Sequence, residues 1–401
     1  MKGEFVHLHL HSDYSPDGIC PLVSDNRAPE APRRSGELLA MALEQHSPAL
    51  AVTDDHSISG AVELFDELET GDVKPIIGCE MTLLPQECGT VPREGASVSG
   101  TSLVLLAQDS AGYENLCRIV SRVQRLGETG VEGIRRECLA EHCRGLIALS
   151  GGLRGELAVS ILKGDGKAAE KALGEFLELF GKENFFLEVM DHGLEEEKTV
   201  NRGLVALSRK FGIPMVATNE VRYLRKDQAV AAEVLACLRN RTVLADPNRI
   251  APPPEYYYKS YEEMASLFGT EIPEALSNTV RIADRCNFRF DFQQRHYPAL
   301  PVPDGMMESE LLREICLRNV PERFGFALDN PPPDRRETAG EIRRRLDREL
   351  TTIDRIRNAG FYLRLHKLLR EMRKQGIPVG DGRGAEAGSL VAYLTGITGV
   401  D

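Results

Sequence analysis

The chain has no excess of positive charge, no CxxC pair and no long apolar run. Lys and Arg number 49 against 61 Asp and Glu, a formal net charge of −12 with a sequence pI near 5.4. That balance excludes a simple basic nucleic-acid coat, because phosphate contacts need local positive surface. It leaves open binding by one basic patch, or an acidic site that reaches phosphate through divalent ions. The nine cysteines are scattered and odd in number, which reads as reduced thiols in a cytoplasmic protein. No run approaches the ~20 apolar residues of a membrane span. The first residues enter a strand at once and lack signal-peptide architecture. Aromatic residues make up only 6%, and the 401 residues suffice for two or three domains.

What is present is an alternation. Short apolar runs at 5–10, 49–53, 75–78, 102–107, 146–150, 185–189 and 214–217 read as strands. Between them lie helical patterns at 60–68, 112–126, 153–162, 167–180 and 195–211. This spacing predicts parallel β/α units. Seven such strands suggest a closed or nearly closed barrel with function at the C-terminal strand ends; a doubly wound sheet is the competing reading. Past Tyr223 the texture becomes helical, with segments at 228–239, 261–267, 274–286, 308–318, 339–358 and 363–375, a short strand at 377–379 and a helix start at 387–394.

His7, His9 and His11 alternate on the first strand, so period two places them on one face. Three imidazoles in an apolar strand are costly unless solvated, hydrogen-bonded or metallated, and neutral imidazole suits Zn, Fe or Mn. A partly exposed edge strand is the bland alternative. Asp13 and Asp17 follow in a Ser/Pro/Gly loop, Asp54, Asp55 and His56 follow the second strand, Glu80 the third, and Asp191 and His192 the sixth. On a β/α barrel these positions converge at one rim, where carboxylates and imidazoles would hold two or three ions against a phosphate. Singly, each residue reads as well as a solvated loop position; the set carries the prediction.

These stretches together carry a resemblance. Phe5-Val-His-Leu-His-Leu-His-Ser-Asp-Tyr-Ser-Pro-Asp-Gly18, Ala49-Leu-Ala-Val-Thr-Asp54, Pro75-Ile-Ile-Gly-Cys-Glu80, Gly145-Leu-Ile-Ala-Leu-Ser150 and Phe186-Leu-Glu-Val-Met-Asp-His-Gly193 resemble the polymerase-and-histidinol-phosphatase (PHP) domain that opens bacterial DNA polymerase III alpha subunits. The resemblance implies a distorted PHP-type (β/α)7 barrel followed by a truncated α+β polymerase palm. The expected divisions are 1–240 for the barrel, 241–300 for a bridging segment and 301–401 for an incomplete palm. It places His9, His11, Asp17, Glu80 and His192 on family metal positions, with Asp55, His56 and Glu220 as further candidates for Zn, Mn or Mg. Where the family has Thr-Asp-His-Gly, this chain has Thr53-Asp-Asp-His56. Ser102 and Gly152 stand at two positions where the family often has His and Cys. Asn219-Glu-Val-Arg222 replaces Asn-Asp-Val-His, and Arg222 brings a permanent positive charge that opposes a metal or replaces it. A mainly structural PHP domain is therefore expected, with metal-dependent phosphoesterase or 3'-5' exonuclease action as the alternative.

Gly376-Ile-Pro-Val-Gly-Asp-Gly-Arg-Gly-Ala-Glu-Ala-Gly-Ser-Leu-Val-Ala-Tyr393 is the other informative stretch. A glycine turn leading into an apolar helix suits a polyphosphate, with Gly388 and Ser389 near the helix start and Arg383 able to grip phosphate; a tight structural turn is the plain alternative. It is not a P-loop, since Gly-x4-Gly-Lys-Ser/Thr is absent. The stretch resembles the polymerase III alpha palm motif, and Gly382, Arg383, Gly384, Gly388 and Ser389 match its nucleotide-binding positions. Ala385 and Glu386 depart from it. The resemblance implies a DNA-directed DNA polymerase of replication or error-prone repair synthesis, with DNA, deoxynucleoside triphosphates and replisome subunits as partners and Mg at the polymerase site. The Mg-binding acids would lie past Asp401, so the chain alone is expected not to polymerise; a non-catalytic scaffold paralogue is the remaining alternative.

Overall fold

A computed structural model describes residues 4–15, 18–20, 36–85, 100–127, 133–249, 251, 253–293, 300–303 and 305–400. The chain folds as two compact units, Met1–Phe290 and Asp291–Asp401.

In the first unit the element order is α1 (Glu37–Glu44), β1 (Ala49–Val52), α2 (Ala61–Glu69), β2 (Lys74–Leu83), β3 (Thr101–Ala107), α3 (Ser110–Gly127), α4 (Arg136–His142) and β4 (Leu146–Leu149). Then come α5 (Glu156–Leu162), α6 (Gly166–Phe180), β5 (Phe185–Val189), α7 (Glu195–Phe211), β6 (Met215–Ala217), α8 (Ala229–Arg239), α9 (Tyr261–Phe268) and α10 (Pro273–Arg285). The six strands lie side by side in chain order. The segment Phe5–His11 lies between the outer strand β1 and the stretch that follows β6. On one side it accepts from Ala51 N at 2.9 Å and Thr53 N at 2.7 Å; on the other, Val221 N donates to His9 O at 3.0 Å and His11 N to Val221 O at 2.8 Å. A sequential order closed by the first segment makes a distorted barrel. A doubly wound sheet would instead reverse its strand order at a switch point.

The strands are short apolar runs buried on both faces, as in β1 and β5, and this is the pattern of a sheet covered on both sides. Leu8, Phe185, Phe186 and Leu187 are fully buried, and each such side chain contributes about 1.5–3 kcal/mol on burial. The flanking helices are amphipathic: α7 buries Val200, Leu204 and Leu207, one face at helical spacing. α9 begins in a capping box between Ser260 and Glu263, and α10 begins with Pro273 in its first turn. α10 is tied to the barrel by Thr279 Oγ1, which accepts from Val6 N at 3.1 Å, and by Asn278 Nδ2, which donates to Met215 O at 2.7 Å.

The parallel expectation needs one correction. β1–β2, β4–β5 and β5–β6 pair parallel, but β3 is antiparallel to both β2 and β4. For β3–β4 the reason is two passes instead of one. α3 carries the chain back to where Ile134 bridges Leu83, and α4 returns it, so β4 starts opposite the end of β3, with Leu146 beside Ala107. The sequence pattern also gave no helix at α1 or α4.

Among its described residues the second unit is helical: α11 (Glu308–Phe324), α12 (Arg336–Arg355), α13 (Ala359–Lys374) and α14 (Leu390–Leu394). α12 buries Ala339, Ile342, Leu346, Leu350 and Ile353, spaced three and four, against Leu312, Cys316, Leu363, Leu390 and Val391. The short strand expected at 377–379 is not formed, because it finds no partner among the described residues.

Candidate metal centre

His9 and His11 leave the first segment at the end where β1, β2, β5 and β6 also deliver polar side chains. Among the described residues His9, His11 and Glu80 form one group whose ligand atoms lie within 4.8 Å of one another, all three buried. His9 Nε2 is 3.4 Å and His11 Nε2 3.2 Å from Glu80 Oε2. His11 Nε2 is buried and makes no hydrogen bond. His9 Nδ1 is engaged by Glu188 Oε1 at 2.9 Å. A carboxylate on the far ring nitrogen is how a protein orients an imidazole toward a metal. Glu188 is itself held by Thr218 Oγ1 at 2.7 Å and Gly151 N at 2.8 Å. Gly151 sits at φ 82°, and a Cβ there would collide with Ser102 O, so only glycine brings this N–H to the carboxylate.

The period-two face is only partly realised. His9 and His11 have ring centroids 5.2 Å apart, but His7 packs 4.1 Å from Tyr258 and meets Lys259 O at 2.9 Å. Two residues of strand separate His7 from His9 by about 6.6 Å, which leaves His7 in the core. Burial lowers its pKa to about 4. Burial acts the same way on His9, yet the Glu188 and Glu80 carboxylates outweigh it and carry His9 to about 10.

Two guanidiniums enter the same rim. Arg154 Nη2 lies 2.9 and 3.0 Å from the two Glu80 oxygens and 3.0 Å from Glu220 Oε1. Arg222, buried, reaches Glu220 Oε1 at 2.8 Å, Asp55 Oδ2 at 3.3 Å and Glu80 Oε2 at 3.7 Å. Ser102 Oγ donates to Glu80 Oε1. Burial works against ionising Glu80 and Glu220, but Arg154 and its neighbours hold Glu80 well below the usual carboxylate range and Glu220 at about 2. Glu220 adopts φ 43°, a left-handed conformation that a non-glycine residue keeps only when its surroundings enforce it.

The remaining candidates separate. Asp55 lies 3.4 Å from His11 Nδ1 and shares Arg222. His56, at φ 52°, turns away: its Nε2 accepts from Thr82 N at 3.0 Å and faces Thr82 Oγ1 at 2.9 Å. His192 has Nδ1 on Glu197 at 2.5 Å and Nε2 on Asn219 O at 2.9 Å, so neither nitrogen is presented to the triad. Asp54 accepts from Ser12 N, Ser12 Oγ and Ser15 Oγ at 2.7–2.8 Å, which anchors the loop. Asp17 lies outside the described residues. Arg154, Glu188 and Glu197 were not singled out from the sequence. A cavity of about 440 Å³ opens beside the cluster, with Arg154, Glu220, Arg222, Arg239 and Tyr256 in its wall.

In the second unit the start of α14 is already filled. Glu349 of α12 accepts from Ser389 Oγ at 2.8 Å, Leu390 N at 3.1 Å and Val391 N at 3.0 Å, while Arg345 donates to Gly388 O at 2.7 Å. Gly382 and Gly384 have φ of 95° and 86°, and a Cβ at Gly382 would meet Thr398 at 2.8 Å. Arg383 is exposed.

A ring of strands with imidazoles and carboxylates at one rim defines a PHP-type domain. Consistent with this, residues 7–192 match the family described as PHP domain, and 310–401 that described as bacterial DNA polymerase III alpha NTPase domain. The chain is 34% identical over 400 residues to the DNA polymerase III subunit alpha of Treponema pallidum, covering 99% of this chain and 32% of that protein. The Thermus aquaticus subunit is 36% identical over 458 residues (100% and 36%), and that of Pseudomonas aeruginosa 35% over 410 (100% and 32%). The chain belongs to the bacterial DNA polymerase III alpha family, to the N-terminal region of those subunits, and spans about a third of the length of the curated relatives it matches. Among the described residues no helix is long and apolar enough to cross a membrane, and the described cysteines are free thiols.

Proposed function

We propose that this chain serves DNA synthesis as the N-terminal part of a DNA polymerase III alpha-like subunit, and that its PHP domain supports structure and performs no hydrolysis. Domain divisions near 240 and 300, a cytoplasmic location, and DNA, deoxynucleoside triphosphates and replisome subunits as partners go with this reading. So does a nucleotide-contacting role for Gly382, Arg383, Gly384, Gly388 and Ser389. The observation that carries the structural role is the pair Arg154 and Arg222 on Glu80, Glu220 and Asp55. Their charges satisfy carboxylates that a divalent ion would otherwise neutralise.

A second reading rests on the triad. His9, His11 and Glu80 fit one divalent ion, with His11 Nε2 turned toward Glu80 Oε2 and a Glu188-oriented His9; imidazole with carboxylate suits Zn or Mn. Such an ion would act as Lewis acid on a phosphate ester, while Arg154 at the cavity wall would bind the phosphate. Metal analysis of the purified chain, with release of the 3'-terminal nucleotide from DNA assayed with and without Mn or Zn, decides between the two. The structural reading expects substoichiometric metal and no release. Stoichiometric metal with release abolished by His9→Ala/His11→Ala establishes the phosphoesterase.

A further inference from the structure

The acid excess of the chain does not extend to one face of the second unit. There α11 and α13 flank a cleft of about 660 Å³ whose floor is Leu394–Gly396 at the end of α14. Arg318 and Arg323 line it from α11, and Arg370, Arg373 and Lys374 from α13, with Glu322 as the acid among them.

Three observations separate this cleft from an ordinary solvated helix face. First, the guanidiniums converge. Arg373 Nη1 and Arg323 Nη2 lie 3.3 and 3.5 Å from the point where a Cβ on Gly396 would stand. Gly396 has φ 72° and no side chain to fill the space between them. Like charges brought this close repel unless an anion joins them. Second, the two converging guanidiniums lack acids, while at the edges of the cleft Arg318 pairs with Glu314 at 4.0 Å and Lys374 with Glu371 at 3.4 Å. Among the described residues no carboxylate pairs with Arg323, Arg370 or Arg373, whereas Arg313–Asp347 and Arg343–Asp329 pair at 2.6 Å and Arg345–Glu349 at 3.2 Å in the same unit. Arg323 is positioned instead by the Tyr393 ring, 4.6 Å from its guanidinium carbon. Third, the arginines are not needed to cap α14. Asn319 Nδ2 donates to Leu394 O at 2.9 Å and His366 engages Thr395 O at 2.5 Å, so those terminal carbonyls already have donors.

We propose that this cleft binds a phosphate-bearing polyanion, with Arg323 and Arg373 sharing one phosphate and Arg318, Arg370 and Lys374 meeting its neighbours. Planar guanidiniums aimed at one point from two helices match the tetrahedral phosphate better than mobile lysines would. The site lies at the C-terminal end of α14, whereas Gly388 and Ser389 lie at its start. The same chemistry is offered by a free polyphosphate and by the backbone of a nucleic-acid strand.

The test uses the 401-residue chain. Binding of a labelled single-stranded oligonucleotide is followed by fluorescence anisotropy, and of inorganic tripolyphosphate by calorimetry and competition, across a salt series. Arg323→Gln/Arg373→Gln should weaken binding about tenfold or more. It should also flatten the salt dependence by about one unit of log–log slope for each phosphate no longer neutralised. The charge-matched Arg335→Gln/Arg336→Gln should change binding by less than about twofold. Circular dichroism verifies folding; should the first pair misfold, Arg370→Gln/Lys374→Gln on the exposed side of α13 replaces it. Tripolyphosphate that binds and displaces the oligonucleotide identifies a polyphosphate site, and oligonucleotide binding alone a backbone site. No binding of either probe, or equal losses in cleft and control variants, overturns the proposal.

Discussion

Replacing Arg222 with Met keeps an unbranched apolar stem and removes the guanidinium charge from among three carboxylates. The guanidinium is almost wholly buried and contacts Glu220 through Nη2 at 2.8 Å and Nε at 3.2 Å, with Asp55 at 3.3 Å and Glu80 at 3.7 Å. Removing one partner of a buried ion pair costs about 3–5 kcal/mol. Arg154 remains between Glu80 and Glu220 and is half-exposed, so the lower end, about 3 kcal/mol, is expected. For a unit of this size that is a fall of roughly 6–12 °C in melting temperature. A divalent ion on His9, His11 and Glu80 should then stabilise the variant, by about 2.7 kcal/mol at a hundredfold excess over Kd. The wild-type chain, with both guanidiniums in place, should gain less. Differential scanning calorimetry with EDTA, Mn or Zn measures both effects. The reasoning fails if Arg222→Met melts with the wild type, or if metal stabilises both equally.

In the presence of EDTA, stability should decline as pH rises from 6.5 toward 10. His9 is raised from 6.5 to about 10 in the fold, so its contribution is complete below 6.5 and lost above, at no more than about 1.4 kcal/mol per pH unit; urea melts of His9→Asn should show a flatter alkaline limb. His7 behaves oppositely: lowered to about 4, it contributes above 6.5 and loses that contribution as pH falls from 6.5 to 4, and His7→Phe should relieve this loss. Glu349→Ala should cost about 2 kcal/mol by stripping the carboxylate from Ser389, Leu390 N and Val391 N, seen as faster amide exchange at Val391. Leu8→Ala, at a fully buried position, should cost about 2–5 kcal/mol by denaturant melting without altering metal content.

Much of the barrel was readable along the chain. The seven apolar runs coincide with the six strands and the closing first segment, because short runs buried on both faces have few other uses. The alternation of His9 and His11, and the acid of Pro75-Ile-Ile-Gly-Cys-Glu80, pointed to the residues that now meet. The helices of the second unit followed their three-and-four spacing, although α11 runs on through Pro321. The strand expected at 377–379 lacked a partner, which no local pattern reveals.

By itself the sequence determined the element series, the buried faces and the donor types at each strand end, since these depend on residue chemistry at periods of 2 and 3.6. Only the tertiary structure decided which donors share a centre. His9 reaches Glu188 across 179 positions and Arg154 reaches Glu220 across 66, and left-handed turns at His56 and Glu220 aim one side chain away and the other inward. The folded chain likewise decided that Glu349 fills the start of α14 and that Arg323 and Arg373 face each other across Gly396. Side-chain direction at a loop end is set by backbone torsion and by partners distant in sequence, and neither is encoded in a local repeat.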